Sequence, residues 1–307
     1  MSSTSVPLLI RPLLARFQRR RPIRAGSLVV TLYGDAIAPR GGSLWLGSLN
    51  RLVEPMGLEP GLVRTALSRL VSDGWFERNR VGQNSYYRLS SHSAAEFIEA
   101  GRHIYAGKDA QWNGRLELEI LTDPDPRTRQ SLRDNLARQG YGQLAPNVMV
   151  RPATQQRRRP REASNLQMVR ETLRITATAD DPAEARRLAE ACWRFDQLGL
   201  AYRSLLDDLG GLASAPQSLA RLDDAQAFQV RLLLIHEWRR VVLHDPRLPR
   251  ALMPVDWPGA EARDAVRKIY WAVSPGCERW LDACAVNERG GLPPASKAAA
   301  RRFSARH

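Results

Sequence analysis

The sequence predicts a multidomain α+β chain, on three observations. A helix-turn-helix pattern closed by a basic hairpin runs from Ser43 to Leu89, strand-type alternation begins near Trp112, and from Ala183 onward the apolar spacing is helical. A chain of 307 residues is too long for one small domain and long enough for two or three with cores of their own. The expected divisions are a basic arm over 1–25, a winged helix-turn-helix over 26–92, a connecting helix over 93–110, a ferredoxin-like domain over 111–196, a helical C-terminal domain over 197–286 and a basic tail over 287–307.

Local chemistry justifies the first module element by element. Behind Ser27, the stretch Leu28–Ala36 offers Leu28, Leu32 and Ala36 at helical spacing, with Val29 and Tyr33 adjoining. Ser43 suits the N-cap of a helix over Leu44–Val53, whose inner side is Trp45, Leu49 and Leu52 and which Pro55 ends. Gly57 permits the turn, and Pro60 suits the first position of the next helix. There Leu62, Val63, Ala66, Leu67, Leu70 and Val71 recur at three and four residues, a stripe that buries one face. The opposite face keeps Arg64, Thr65, Ser68 and Arg69, and Gly74 after Asp73 is a C-terminal stop. Trp75–Arg80 and Ser85–Leu89 flank the turn Val81-Gly82-Gln83-Asn84 as two strands that carry Arg78, Arg80 and Arg88.

Downstream, Ala94–Ala106 reads as a connecting helix through Phe97, Ile98, Ile104 and Tyr105. A strand over Trp112–Leu121 places Leu116, Leu118 and Ile120 on one face. A helix over Pro126–Arg138 follows, then strands over Val148–Arg151 and Thr172–Thr178, and a helix from Pro182 to Cys192. That order suggests a ferredoxin-like α+β domain. The run Arg157, Arg158, Arg159 and Arg161 between its middle strands reads as a solvated loop, with phosphate contact as the sharper alternative. Leu198–Leu209, Leu219–Val242 and Ala260–Ala285 are helical, interrupted by the proline-rich His244–Pro258.

Charge and cysteine usage narrow the function class. The net charge of +14 and pI near 10.7 favour a polyanionic partner, and residues 1–92 hold 13 Arg/Lys against 5 Asp/Glu, +8 of that total. An exposed helix face of Arg, Thr and Ser can enter a DNA major groove, where Arg pairs bidentately with guanine. Arg64, Thr65, Ser68 and Arg69 are therefore the candidate base readers, with Arg78, Arg80, Gln83 and Asn84 of the hairpin along the backbone. Arg11, Arg16, Arg19, Arg20, Arg21 and Arg24 precede the first acid, Asp35; they read as a transit peptide, a soluble tail or a flexible arm on DNA phosphates. Cys192, Cys277 and Cys284 form no Cys-x-x-Cys pair and have no His at ligand spacing, so neither a disulfide framework nor a structural metal is expected and a cytoplasmic setting fits. No apolar run reaches the roughly 18 residues of a membrane span. The His236-Glu237 pair lacks the second His of a zinc-protease helix, because position 240 is Arg.

Two blocks carry a family resemblance: SLVVTLYGDAIAPRGGSLWLGSLNRLVEPMGLEPGLVRTALSRLVSDGWFERNRVGQNSYYRLS, residues 27–90, and RLLLIHEWRRVVLHDPRLPRALMPVDWPG, residues 231–259. Both, in this order, resemble the PaaX family of bacterial repressors of phenylacetic acid catabolism. The resemblance implies a dimeric transcriptional repressor, without enzymatic activity or cofactor, whose winged helix binds an inverted repeat at an operator. It also implies a middle domain resembling Cas2 nucleases, and release by an acyl-coenzyme A effector such as phenylacetyl-coenzyme A. On that view His236, Trp238, Arg239 and Arg240 beside the proline-rich turn are effector contacts, Trp to stack on a ring and Arg to hold phosphate. Two alternatives remain: a DNA-binding protein with no effector, and a metal-dependent nuclease using Asp123 near the end of the first middle-domain strand, with Asp125 close by.

Overall fold

The computed structural model describes residues 10–19, 25–107, 112–153, 172–179 and 181–304. The chain divides into two compact units. One joins the described residues up to Gly107 with Tyr202–Leu243 and the stretch from Gly259 on; the other joins the residues through Ala201 with His244–Pro258. By contact, the long C-terminal helices share a unit with the N-terminal segments, and the proline-rich stretch belongs with the middle strands.

In the first unit, part of the expected arm is a helix, α1 (Arg11–Arg19). Ile10, Leu13 and Phe17 are buried at three- and four-residue spacing. Arg16 also turns inward, where Nε donates to Glu237 Oε2 at 2.9 Å and Nη1 to the Ser204 carbonyl, the Ser204 hydroxyl and Asp208. Next, α2 (Ala25–Leu32) widens into a π turn over Tyr33–Ile37, so the helix expected over Leu28–Ala36 is only partly α. The expected N-cap at Ser43 is instead a strand, β1 (Ser43–Trp45), which pairs Leu44 with Tyr87. Extension there buries Leu44 fully and moves the start of α3 (Leu46–Val53) past Trp45. Then come α4 (Pro60–Ser72), the hairpin β2 (Phe76–Val81) and β3 (Asn84–Leu89), and α5 (Ser91–Ile104), with strand order β1-β3-β2.

The second unit contains β4 (Arg115–Leu121), α6 (Pro126–Arg138), β5 (Gly142–Ala145), β6 (Val148–Pro152), β7 (Thr172–Thr178) and α7 (Pro182–Cys192). Its sheet is antiparallel with order β5-β6-β4-β7. The four-residue β5, too short to show alternation, was not expected. Leu121 packs with Leu132, Leu136, Tyr141 and Met149. Glu117 and Glu119 share Leu121's side of β4, and each is paired, Glu117 with Arg151 at 2.8 Å and Glu119 with Arg174. A second cluster places Leu248, Leu252 and Met253 against Ala185, Ala189 and Phe195, which is why the proline-rich stretch belongs to this unit. The cluster Arg157–Arg161 lies outside the described residues.

Returning to the first unit, α8 (Phe195–Ala213) enters it at Tyr202, and α9 (Asp224–Val242) and α10 (Gly259–Cys284) pack together. A capping box, Asp223 with Gln226, starts α9, and every residue from Ala227 to Trp238 is buried. Burying all sides of a helix also buries its polar residues, and these need partners. Arg231 Nε therefore bonds Asp35 Oδ2 at 2.8 Å and its Nη1 bonds Glu278 at 2.7 Å. Asp35 also receives Arg302 Nη1 at 2.9 Å and the Tyr105 hydroxyl at 2.6 Å. Within the expected basic tail, Arg302 and Phe303 are both buried.

Desolvation pushes the Asp35 carboxyl up, but Arg231, Arg302 and the Tyr105 hydrogen bond together hold the group below the ordinary carboxylate range. A folded-state value below the unfolded one stabilises the fold above the unfolded value, near pH 4. That contribution is lost as pH falls through the folded value. Asp35→Ala, which leaves buried Arg302 without its carboxylate and Arg231 with Glu278 alone, should destabilise the chain by about 3–5 kcal/mol. Urea unfolding measures this, and the variant's midpoint should fall less steeply than the wild type's below about pH 4.

Candidate nucleic-acid interface

The candidate reading helix is held by its two ends. Pro60 occupies the first turn of α4, where its missing N–H costs nothing. At the other end Gly74 takes φ 75°, Trp75 N–H bonds the Leu70 carbonyl at 2.9 Å and Gly74 N–H the Val71 carbonyl at 3.0 Å. This paired closure satisfies carbonyls that a helix end leaves open, and it turns the chain directly into β2. The Ser90 hydroxyl donates to the Gly74 carbonyl at 2.6 Å and Ser93 Oγ to that of Trp75 at 2.7 Å, so the start of α5 pins the same corner.

Val63 and Leu67 are fully buried, and Ala66 and Leu70 are half-buried. Leu62, expected in the stripe, is 40% exposed, because the buried arc of α4 is narrower than a six-residue stripe. Phe76 meets Tyr33 edge-on, with ring centroids 4.6 Å apart, and the Tyr33 hydroxyl donates to the Tyr87 carbonyl at 2.9 Å. Burial pushes the Tyr33 phenol well up, which keeps it a donor.

All four candidate readers, Arg64, Thr65, Ser68 and Arg69, are exposed on the face away from Val63 and Leu67. Thr65 Oγ1 donates to the Gly61 carbonyl at 3.0 Å, which leaves its oxygen able to accept. On the hairpin, Arg78, Arg80, Gln83 and Asn84 are exposed too. Gly82, at φ 59°, makes the two-residue turn with Gln83. Arg78 bonds the Ser85 hydroxyl at 2.8 Å, Arg80 the Gly82 carbonyl at 3.2 Å, and Arg88 faces Glu77 at 3.3 Å. Exposed pairs of this kind contribute little and release their arginines readily. Arg51 on α3 is a further exposed cation, absent from the expected set.

The candidate effector residues fare differently from one another. Trp238 is fully buried, its Nε1 donating to the Ile104 carbonyl at 2.8 Å with Tyr202 alongside. His236 is buried with Nδ1 at 2.9 Å from Thr31 Oγ1 and its ring edge-on to Phe17. Both side chains spend themselves on packing, the result of a helix buried on all sides, and a ligand would have to open that interior to reach them. Arg239 and Arg240, in the last turn of α9, are half-buried. In the second unit, Asp125 accepts the Thr128 N–H and hydroxyl, both at 2.8 Å, and Asp123 accepts the Asp125 N–H at 2.8 Å. These carboxylates cap α6, and among the described residues no cluster of three or more His, Cys, Asp or Glu could hold a metal ion. No described helix is long and apolar enough to cross a membrane.

Residues 24–93 match the PaaX-like protein family and residues 193–283 match its C-terminal domain. The chain is 32% identical over 296 residues to the transcriptional repressor PaaX of Escherichia coli strain K12, covering 92% of this chain and 90% of that protein. Among solved structures it is similar to the uncharacterized protein Rv0674 of Mycobacterium tuberculosis, with TM-score 0.55 and 26% identity, over 82% of this chain and 97% of that one.

The two faces of α4 should separate under mutation. Leu67→Ala should cost about 2–5 kcal/mol of stability by leaving a cavity. Arg64→Ala, on the exposed face, should stay within about 0.5 kcal/mol of wild type. Chemical denaturation of the two variants checks this, and equal losses would place Arg64 in the packing.

Proposed function

The chain belongs to the PaaX-like protein family, and from that premise we propose that it is a DNA-binding transcriptional repressor. One observation carries the reading: α4 presents Arg64, Thr65, Ser68 and Arg69 to solvent together while the hairpin beside it exposes Arg78, Arg80, Gln83 and Asn84. A helix with free guanidinium and hydroxyl groups can read base edges, and a basic hairpin can follow the phosphates. The elements from α2 to β3 act as a winged helix-turn-helix, and the β5-β6-β4-β7 sheet with α6 and α7 supports assignment of the middle unit as ferredoxin-like, of the Cas2-like kind. The capping roles of Asp123 and Asp125 favour binding over nuclease chemistry.

A homodimer would set two reading helices against an inverted repeat, with half-site spacing fixed by the dimer. Release follows if an acyl-coenzyme A thioester, phenylacetyl-coenzyme A being the family's expectation, binds a dimer geometry that no longer matches that spacing. Of the four effector candidates, Arg239 and Arg240 retain access to solvent.

Gel shifts on a footprinted promoter test both halves. Arg69→Ala should cost about 1–3 kcal/mol on the operator and much less on random DNA, whereas Arg80→Ala should weaken both equally and lower the salt slope by about one. A cognate thioester should weaken operator binding about 5- to 150-fold. If no coenzyme A thioester does so, the effector half fails while the DNA-binding half stands.

A further inference from the structure

Four arginines drawn into the first unit meet carboxylates, and Arg239 differs from them. Arg16 meets Glu237 and Asp208, Arg40 meets Glu278 and Asp282, Arg231 meets Asp35 and Glu278, and Arg302 meets Asp35. Arg239 meets no carboxylate among the described residues. Its Nη2 donates to the Ser27 hydroxyl at 2.8 Å, its Nε is buried without an acceptor, and its neighbour in sequence is a second cation, Arg240. Desolvation and the charge of Arg240 both lower its proton affinity, so the free protein pays to keep it charged. A position in the last turn of α9 explains a cation there, since carbonyl ends favour positive charge. It does not explain a guanidinium drawn half inside with only a neutral partner. A neutral hydroxyl orients a guanidinium without neutralising it, and that is what a site awaiting an anion requires.

We propose that Arg239 and Ser27, with the positive field of Arg240, form a binding site for a phosphate-class oxyanion. Arg239 supplies forked N–H donors, and the Ser27 hydroxyl fixes the plane of that fork while remaining able to bond a phosphate oxygen. The anion belongs to either of two sources, a phosphorylated small molecule or the backbone of bound DNA. Its site stands on this geometry whether or not an acyl-coenzyme A thioester is the effector.

Thermal unfolding of the full chain with sodium pyrophosphate, against sodium chloride of matched ionic strength, tests the site. The wild-type midpoint should rise with pyrophosphate, because a ligand bound only by the folded state stabilises it. Arg239→Gln should abolish the rise and leave the midpoint without pyrophosphate unchanged or higher. Arg239→Lys, which keeps the charge and loses the fork, should need at least about fivefold more pyrophosphate for the same rise. Salt titration of random-duplex binding then separates the sources. A slope lowered by about one in Arg239→Gln identifies a DNA phosphate, and an unchanged slope with the rise abolished identifies a free phosphorylated ligand. An equal rise in all three proteins, or no rise together with no slope change, overturns the proposal.

Discussion

A carboxylate buried as deeply as that of Asp35, 3% exposed, must be paired, and its partners come from far along the chain. Arg231 lies 196 residues away and Arg302 lies 267 away. Tyr105 and Tyr270 lie under the same two arginines, with Arg302 over the Tyr105 ring at 4.0 Å and Arg231 over the Tyr270 ring at 4.6 Å. The alternation of sign then continues outward, from Arg231 to Glu278, from Glu278 to Arg40, and from Arg40 to Asp282 and the Pro293 carbonyl. Moving any one of these segments away leaves an uncompensated charge in the interior. The desolvation of so many ions offsets much of their attraction, so the network contributes more to which segments can meet than to net stability.

That constraint reaches the candidate interface by a short route. Asp35 sits in the π turn after α2, two residues beyond Tyr33, whose hydroxyl holds the Tyr87 carbonyl of β3 and whose ring packs on Phe76 of β2. The tail adds a second tie, since the Val286 N–H bonds Ser48 Oγ at 3.1 Å and the Ser43 hydroxyl bonds Glu288 at 2.8 Å. The segments that bear α4 and the hairpin are therefore fixed to the long helices by polar contacts on both sides of β1. They are not hung on a linker at residue 92, and α5, read as a connector, is part of the same unit.

What could be read from the sequence was what is local. The spacing of Val63 and Leu67, the Pro60 and Gly74 boundaries and the turn at Gly82 all depend on neighbours within a few residues, and the exposed arginine face follows from them. The strand at Ser43–Trp45 is not legible in the sequence because its cause is pairing with Tyr86 to Arg88, 41 to 45 positions on, while serine before an apolar run has the chemistry of a helix cap. Trp238 and His236 were read as ligand contacts because residue type cannot say which way a side chain faces in a helix buried on all sides. Asp35 itself is a local signal, a lone acid inside the apolar run LVVTLYGDAIA. Such a residue must find cations, and the chain's excess of arginine made that search ambiguous.

The N-terminal arginines refine the charge argument that pointed to a polyanion. Counted as formal charge, Arg16 and Arg40 belong to the +8 of residues 1–92, yet both are held by carboxylates of the later helices. The helical spacing of Ile10, Leu13 and Phe17 marked Arg16 for a packed helix as plainly as the arginine count marked it for a free arm. Charge already neutralised inside the fold draws no phosphate, since the field that steers DNA is set by cations at the surface. Among the described residues up to 92 those cations are Arg11, Arg19, Arg51, Arg64, Arg69, Arg78, Arg80 and Arg88, and five of the eight lie on α4 and the hairpin. Removing the internally paired arginines from the count thus concentrates the attraction on the elements whose side chains could read a groove.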